Sequence, residues 1–304
     1  YYGNYGFTVM NEHNNRVSIR KLSKNYNDLK ALDKISFDIP SKSIFALLGP
    51  NGSGKSTLIK VLSKLIKEWD GDIFYNGESI KSNNNYIKNF GFIIEDPCFY
   101  EYLSAKKNLQ IFSRLTNTPS ERINAVLELV DLVNRANDKV SNFSYGMKQR
   151  LGIAQALLHD PEILVLDEPN NGLDPIGVNK MADLIYRLNQ EGKTICISTH
   201  SLSEVDRLCS DVAILKEGKL LITKNIKKLS KNNKFYRLEV FDITSASNYI
   251  KTFSNVKIIA QENNILIISI DSSEPTNILP MKLDEHASVK SVHRESNLIQ
   301  YFYD

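Results

Sequence analysis

The stretch GPNGSGKST, Gly49 to Thr57, constrains this chain more than any other segment. It follows an apolar run, IFALLG (44–49), and leads into a helical pattern, STLIKVLSKLI (56–66). A strand, a glycine-rich turn and a helix in that order are what a phosphate-binding loop requires. Gly49, Gly52 and Gly54, set among Pro50, Asn51 and Ser53, let the backbone turn its N–H groups inward around phosphate oxygens. The helix that follows contributes its positive N-terminal end, where Thr57 also sits. Lys55 is placed to neutralise β- and γ-phosphates, and the Ser56 hydroxyl to ligate Mg²⁺. A chance lysine beside a glycine-rich turn would not come with both flanks correct. The segment reads as a nucleotide site.

A second segment, ILVLDEPNNGLDP (163–175), delivers Asp167 to the C-terminal end of an apolar strand. A carboxylate there suits a Mg²⁺ site, usually through water. Glu168 would aim a second carboxylate at an attacking water as general base. Taken alone, the pair could be an acidic turn after a core strand; an upstream phosphate loop makes that bland explanation weaker. A third segment, GFIIEDPCFY (91–100), ends a short buried strand in Glu95 and Asp96. Three readings of Glu95 stay open: a solvated strand end, a cap for the next segment, or a metal ligand. Asp96 reads as a cap or turn residue.

Charge excludes some classes. Basic and acidic residues number 38 and 35, a net +3, so no global polycation points to nucleic acid. Runs such as ILIISI (265–270) are too short to cross a bilayer. Cys98, Cys196 and Cys209 are isolated, without the spacing of a zinc site or a disulfide scaffold, which fits a reducing compartment. YYGNYGFTVM shows no secretory leader, and Met10 is a candidate natural start.

From Val17 to about Thr223, β-rich runs at 44–49, 90–94, 163–167, 194–199 and 212–216 alternate with helical stretches. That order predicts an α/β fold with a mainly parallel sheet. A mostly helical insertion is expected over 98–160. After Ile226 the chain turns basic and Asn-rich. Strands are then expected at 235–241, 256–260, 265–270 and 288–295, with helices at 245–253 and 275–286, a βαββαβ order.

The segment NFSYGMKQRLGIAQALLHDP (142–161) completes a set of motifs that resembles the nucleotide-binding subunit of ABC transporters over about 16–224. The family's Leu-Ser-Gly-Gly-Gln signature falls on Phe143, Ser144, Tyr145, Gly146 and Met147. Ser144 and Gly146 are retained, and the resemblance implies that they present hydroxyl and backbone N–H groups to a γ-phosphate. Tyr145 and Met147 depart from the pattern. The plain role of Ser144 as helix N-cap is compatible with this. By the same resemblance His200, in TICISTHSLSEVDRLC, is the switch histidine. Asn171, Gly172, Leu173 and Asp174 form the loop crossing the dimer interface, and Tyr26 stacks on adenine. Glu95 takes the place of a glutamine that reaches Mg²⁺ and the attacking water. That loop touches the membrane partner, and the aromatics after it suit a groove for that partner. A glutamate there resembles exporters of bacitracin-like and lantibiotic-like peptides, including the self-immunity pumps of bacteriocin producers.

The resemblance implies a P-loop ABC cassette, with a RecA-like mixed sheet and a helical subdomain at about 98–160. A linker at 225–234 and a small α+β domain at 235–304 would follow. It implies an ATPase using ATP and Mg²⁺, peripheral on the cytoplasmic face of the membrane. Its partners would be a membrane-spanning permease and a second, identical or different, ATP-binding subunit. Acting on ribosomes or DNA fits poorly, because the chain has one cassette and no heptads. A nucleotide-gated, non-transport regulatory module is the remaining alternative, suggested by Tyr145 and Glu95 and opposed by Glu168 and His200.

Overall fold

The computed structural model describes residues 15–229, 233–271 and 289–303. Met10 and the helix expected at 275–286 lie outside them. Internal contacts divide the chain into two units, Tyr1–His200 with Leu208–Thr223, and Ser201–Arg207 with Lys224–Asp304.

The first unit is built on a sheet of β3 (Ile44–Leu48), β6 (Phe90–Ile93), β7 (Ile163–Asp167), β8 (Thr194–Thr199), β9 (Asp211–Lys216) and β10 (Lys219–Asn225). The strand order is β10-β9-β3-β8-β7-β6. The pairs from β9 through β6 are parallel. Every residue of β3, β7 and β8 is buried. Apolar runs without alternation are what a parallel sheet covered on both faces demands, which is why these strands could be read from sequence.

A second sheet has no counterpart among the expected elements. It comprises β1 (Asn15–Tyr26), β2 (Leu29–Pro40), β4 (Asp70–Tyr75) and β5 (Glu78–Ser79), all paired antiparallel. Along β2, buried Ile35, Phe37 and Ile39 alternate with more exposed Ser36 and Asp38. The inner face stacks Phe37 on Phe45 of β3, with ring centroids 5.6 Å apart. Leu58, Ile59 and Leu62 of α1 (Lys55–Leu62) complete this core.

The expected helical insertion contains α2 (Ala105–Leu115), α3 (Glu121–Leu129) and α4 (Tyr145–Leu157). Helix α5 (Pro175–Gln190) follows the acidic strand and is capped by Asp174.

In the second unit β11 (Asn233–Val240), β12 (Val256–Glu262), β13 (Ile265–Asp271) and β14 (Val289–Glu295) pair antiparallel in the order β12-β13-β11-β14. Helix α7 (Ile243–Ile250) covers one face through Ala246 and Ile250, against Leu238, Leu266 and Ile268. On the other, Phe235, Ile267 and Ile299 pack with Leu202 of α6 (Leu202–Leu208). Strand β10 runs into the expected linker and ends at Asn225.

Strand β6 and helix α4 meet with no room for a side chain at Gly91, where an added Cβ would sit 2.4 Å from the Ala156 carbonyl oxygen. Gly91→Ala is expected to cost about 1–3 kcal/mol through overpacking, read as a lowered denaturant midpoint.

Candidate nucleotide site

Parallel pairing decides where the chemistry collects. Leu48 lies beside Thr199, and Asp167 beside Ser198, so β3, β7 and β8 release their loops at one sheet edge. Ligands of open α/β sheets bind outside such carboxyl ends.

The phosphate loop leaves β3 with the Gly49 N–H donating to the Thr199 carbonyl at 3.2 Å. Gly54 has φ +105°, and an added Cβ would lie 2.5 Å from the Ala31 carbonyl oxygen, so only glycine fits. Lys55, 5% exposed, opens α1 and donates from Nζ to the Gly49 and Pro50 carbonyls at 2.7 and 3.2 Å. Ser56 and Thr57 follow in the first turn, with Ser56 exposed. Asn51 and Gly52 are exposed as well. Ser53 is buried, yet its Oγ has no hydrogen-bond partner. Buried hydroxyls are normally satisfied, so an orphan inside this loop fits an oxyanion acceptor.

Asp167 and Glu168 share one mediator. The Ser198 hydroxyl donates to Asp167 Oδ1, and its oxygen accepts the Glu168 N–H at 2.9 Å. Glu168 itself has φ 47°, a left-handed backbone rare outside glycine. Its Oε1 lies 3.5 Å from Lys55 Nζ, and its Oε2 accepts from His200 Nδ1–H at 2.8 Å. Lys55, Asp167, Glu168 and His200, three of them far apart in sequence, therefore meet. Ser198 was not anticipated; its signal is a hydroxyl within the apolar run TICIST.

Glu95 leaves β6 with φ 61°, and its exposed carboxylate pairs with Lys60 Nζ of α1 at 2.8 Å. That hydrogen bond, more than the smaller influences of Tyr26 and Asp167, raises the Lys60 ammonium above its ordinary pKa. Asp96, expected as a cap or turn residue, lies in a bend, and its carboxylate also accepts from the Tyr145 hydroxyl at 2.5 Å. Tyr26 ends β1 44% exposed, with Lys24 Nζ 5.4 Å from its ring centroid.

Ser144 caps α4, its Oγ accepting from the Met147 N–H at 3.3 Å. Gly146 sits against Leu173, and Asp174 Oδ1 accepts from the Gly177 N–H at 2.7 Å.

A family model described as ABC transporter matches residues 32–171. The bacitracin transport ATP-binding protein BcrA of Bacillus licheniformis is 44% identical over 223 residues, covering 72% of this chain and 73% of its own. The lantibiotic transport ATP-binding protein SrtF of Streptococcus pyogenes is 39% identical over 208 residues, 68% of this chain and 90% of its own. This chain belongs to the ATP-binding proteins of ABC transporters. Among solved structures, cbiO1 of Clostridium perfringens, part of the transporter complex cbiONQ, superposes with a TM-score of 0.65 at 28% identity. That match covers 70% of this chain and 89% of cbiO1. Among the described residues of the cassette and its tail, no helix is long and apolar enough to cross a membrane.

Because one hydroxyl serves both acids of the cassette, Ser198→Ala should strand a half-buried donor and a buried carboxylate together. The expected cost is about 1–3 kcal/mol in urea denaturation, with ATP turnover falling alongside it.

Proposed function

We propose that this chain hydrolyses ATP to drive export of an antimicrobial or other peptide through a separate membrane-spanning permease. The observation that carries hydrolysis is Glu168, whose carboxylate lies between Lys55 and His200 beside the phosphate loop. The cargo class rests on the bacitracin and lantibiotic transport names of BcrA and SrtF. In this reading Gly49, Pro50, Asn51, Gly52, Ser53, Gly54 and Thr57 wrap the phosphates, and Tyr26 offers its exposed ring to the adenine. Lys55 neutralises phosphate charge, Glu168 takes the proton of the attacking water, and His200 holds Glu168 and the γ-phosphate in register.

Ser56, Asp167 and Glu95 supply the hard oxygen donors that suit Mg²⁺. Bound there, Mg²⁺ would neutralise charge developing on the phosphates. Asp167 is nine-tenths buried and already oriented by Ser198, whereas Glu95 would have to exchange Lys60 for the metal.

Two cassettes would act as a pair, identical or not, with Ser144 and Gly146 of each facing the nucleotide held by the other. The permease would hold them at the cytoplasmic face of the membrane. Residues 16–224 would be the ATP-binding domain, joined by 225–234 to a small domain at 235–304.

Glu168→Gln should keep ATP affinity while turnover falls by roughly two to four orders of magnitude, the usual worth of a general base. The variant should accumulate as an ATP-bound dimer. Turnover near wild type would remove Glu168 from this role. For Glu95, transport into membrane vesicles should fall further than ATPase rate in Glu95→Ala, and Glu95→Gln should retain more of both. Two silent variants would leave Glu95 as a surface ion pair.

A further inference from the structure

Tyr145 stands where the family's signature has its first glycine, and its side chain is held from three directions. Its hydroxyl donates to Asp96 Oδ1 at 2.5 Å and accepts from Gln149 Nε2 at 2.9 Å. Gln149 is 3% exposed, so the amide that reaches the hydroxyl is fixed in the core. The ring packs against Gly172: an added Cβ there would be 3.1 Å from Tyr145 Cε1 and 3.5 Å from Cζ. Gly172 has φ +73°, a conformation that lets the loop turn beneath the ring.

The contact is wider than one hydrogen bond. Tyr145, Gln149 and Gly152 lie on one face of α4, spaced four and three residues apart. Pro97, next to Asp96, packs on Gly152, where an added Cβ would sit 2.9 Å from Pro97 Cβ. Further along, Glu101 pairs with Lys148. The loop leaving β6 thus lies along α4 from its first residue. On the other side Leu173 touches Gly146, the residue after Tyr145.

We propose that Tyr145 is a positioning residue: its hydrogen bond to Asp96 and its ring on Gly172 make the β6 exit loop, the start of α4 and the 171–174 loop move as one body. A glycine at this place, with no side chain, could make neither contact. The consequence is that a displacement of the loop carrying Glu95 and Asp96 is handed to Ser144 and Gly146 without slack. The mechanical link stands on this chain's own contacts. Its effect on ATP-driven pairing rests on the proposed role of Ser144 and Gly146 across a dimer.

The test uses the full chain carrying Glu168→Gln, with Tyr145→Phe, Tyr145→Gly, Asp96→Asn, Asp96→Ala and the Tyr145→Phe/Asp96→Ala double substitution. Hydrogen–deuterium exchange is read over residues 145–149 and 171–174. Asp96→Ala should speed exchange at 145–149 by about fivefold, the order expected for a charge-assisted hydrogen bond at a partly exposed place, and Tyr145→Phe by at least as much, because it also loses the Gln149 bond. Asp96→Asn keeps an acceptor oxygen without its charge and should fall between. The double variant should match Tyr145→Phe, which already loses both the Asp96 and the Gln149 bonds, because Asp96→Ala then removes nothing further. Tyr145→Phe keeps its ring and should leave 171–174 unchanged, while Tyr145→Gly should loosen both segments. The ATP concentration that half-assembles the dimer should rise by a similar factor, with nucleotide affinity of the monomer unmoved and the denaturant midpoint lowered by no more than that local loss implies. Unchanged exchange in the single variants, or additive losses in the double, would overturn the proposal. Failure of the parent to pair with ATP would refute the dimer reading, and exchange would still decide the link.

Discussion

Parallel pairing of β3 with β8 and of β7 with β8 is the constraint on which the site depends. Each strand is buried end to end, so a slipped register would draw the charged strand end at Asp167 into the covered interior. With the register held, Leu48, Asp167 and Thr199 end at one edge, and whatever follows them must converge. Phosphate loop, acid pair and histidine are neighbours for that reason. The Ser198 hydroxyl then refines the meeting from strand-end accuracy to hydrogen-bond accuracy, by joining one acid's side chain to the other's backbone.

Electrostatics at this edge are arranged in pairs. Lys55 faces Glu168, and Lys60, about 1.4 turns on along α1, faces Glu95. The inner pair, with Lys55 buried and Glu168 half-buried, is less screened by solvent. The exposed pair is screened and contributes little to stability, so its value lies in where it holds the β6 exit loop.

Local patterns made part of this legible in the sequence. The phosphate loop could be read because strand, glycines and helix are contiguous, and the acidic pair because it closes an unbroken apolar run. The antiparallel sheet could not: β1 and β2 alternate buried and exposed residues and carry register shifts, which blur the period-two pattern over their length. The contact of Asp96 with Tyr145 was illegible for another reason. The two lie 49 residues apart, and no local pattern reports a contact made through tertiary packing. Tyr145 looked like damage to a motif when viewed alone. Beside Asp96 and Gly172 it is a side chain with assigned neighbours. The tail's strands were visible as apolar runs, but their order, with β11 in the middle, follows only from pairing.

The backbone at Glu168 has one more implication. Its φ of 47° is a conformation that a residue with a Cβ adopts at a cost of order 1 kcal/mol or more, and that glycine adopts freely. A replacement by glycine there would relieve the backbone even as it removed the carboxylate. With Glu168 as the proposed general base, stability and activity would select opposite residues at this position.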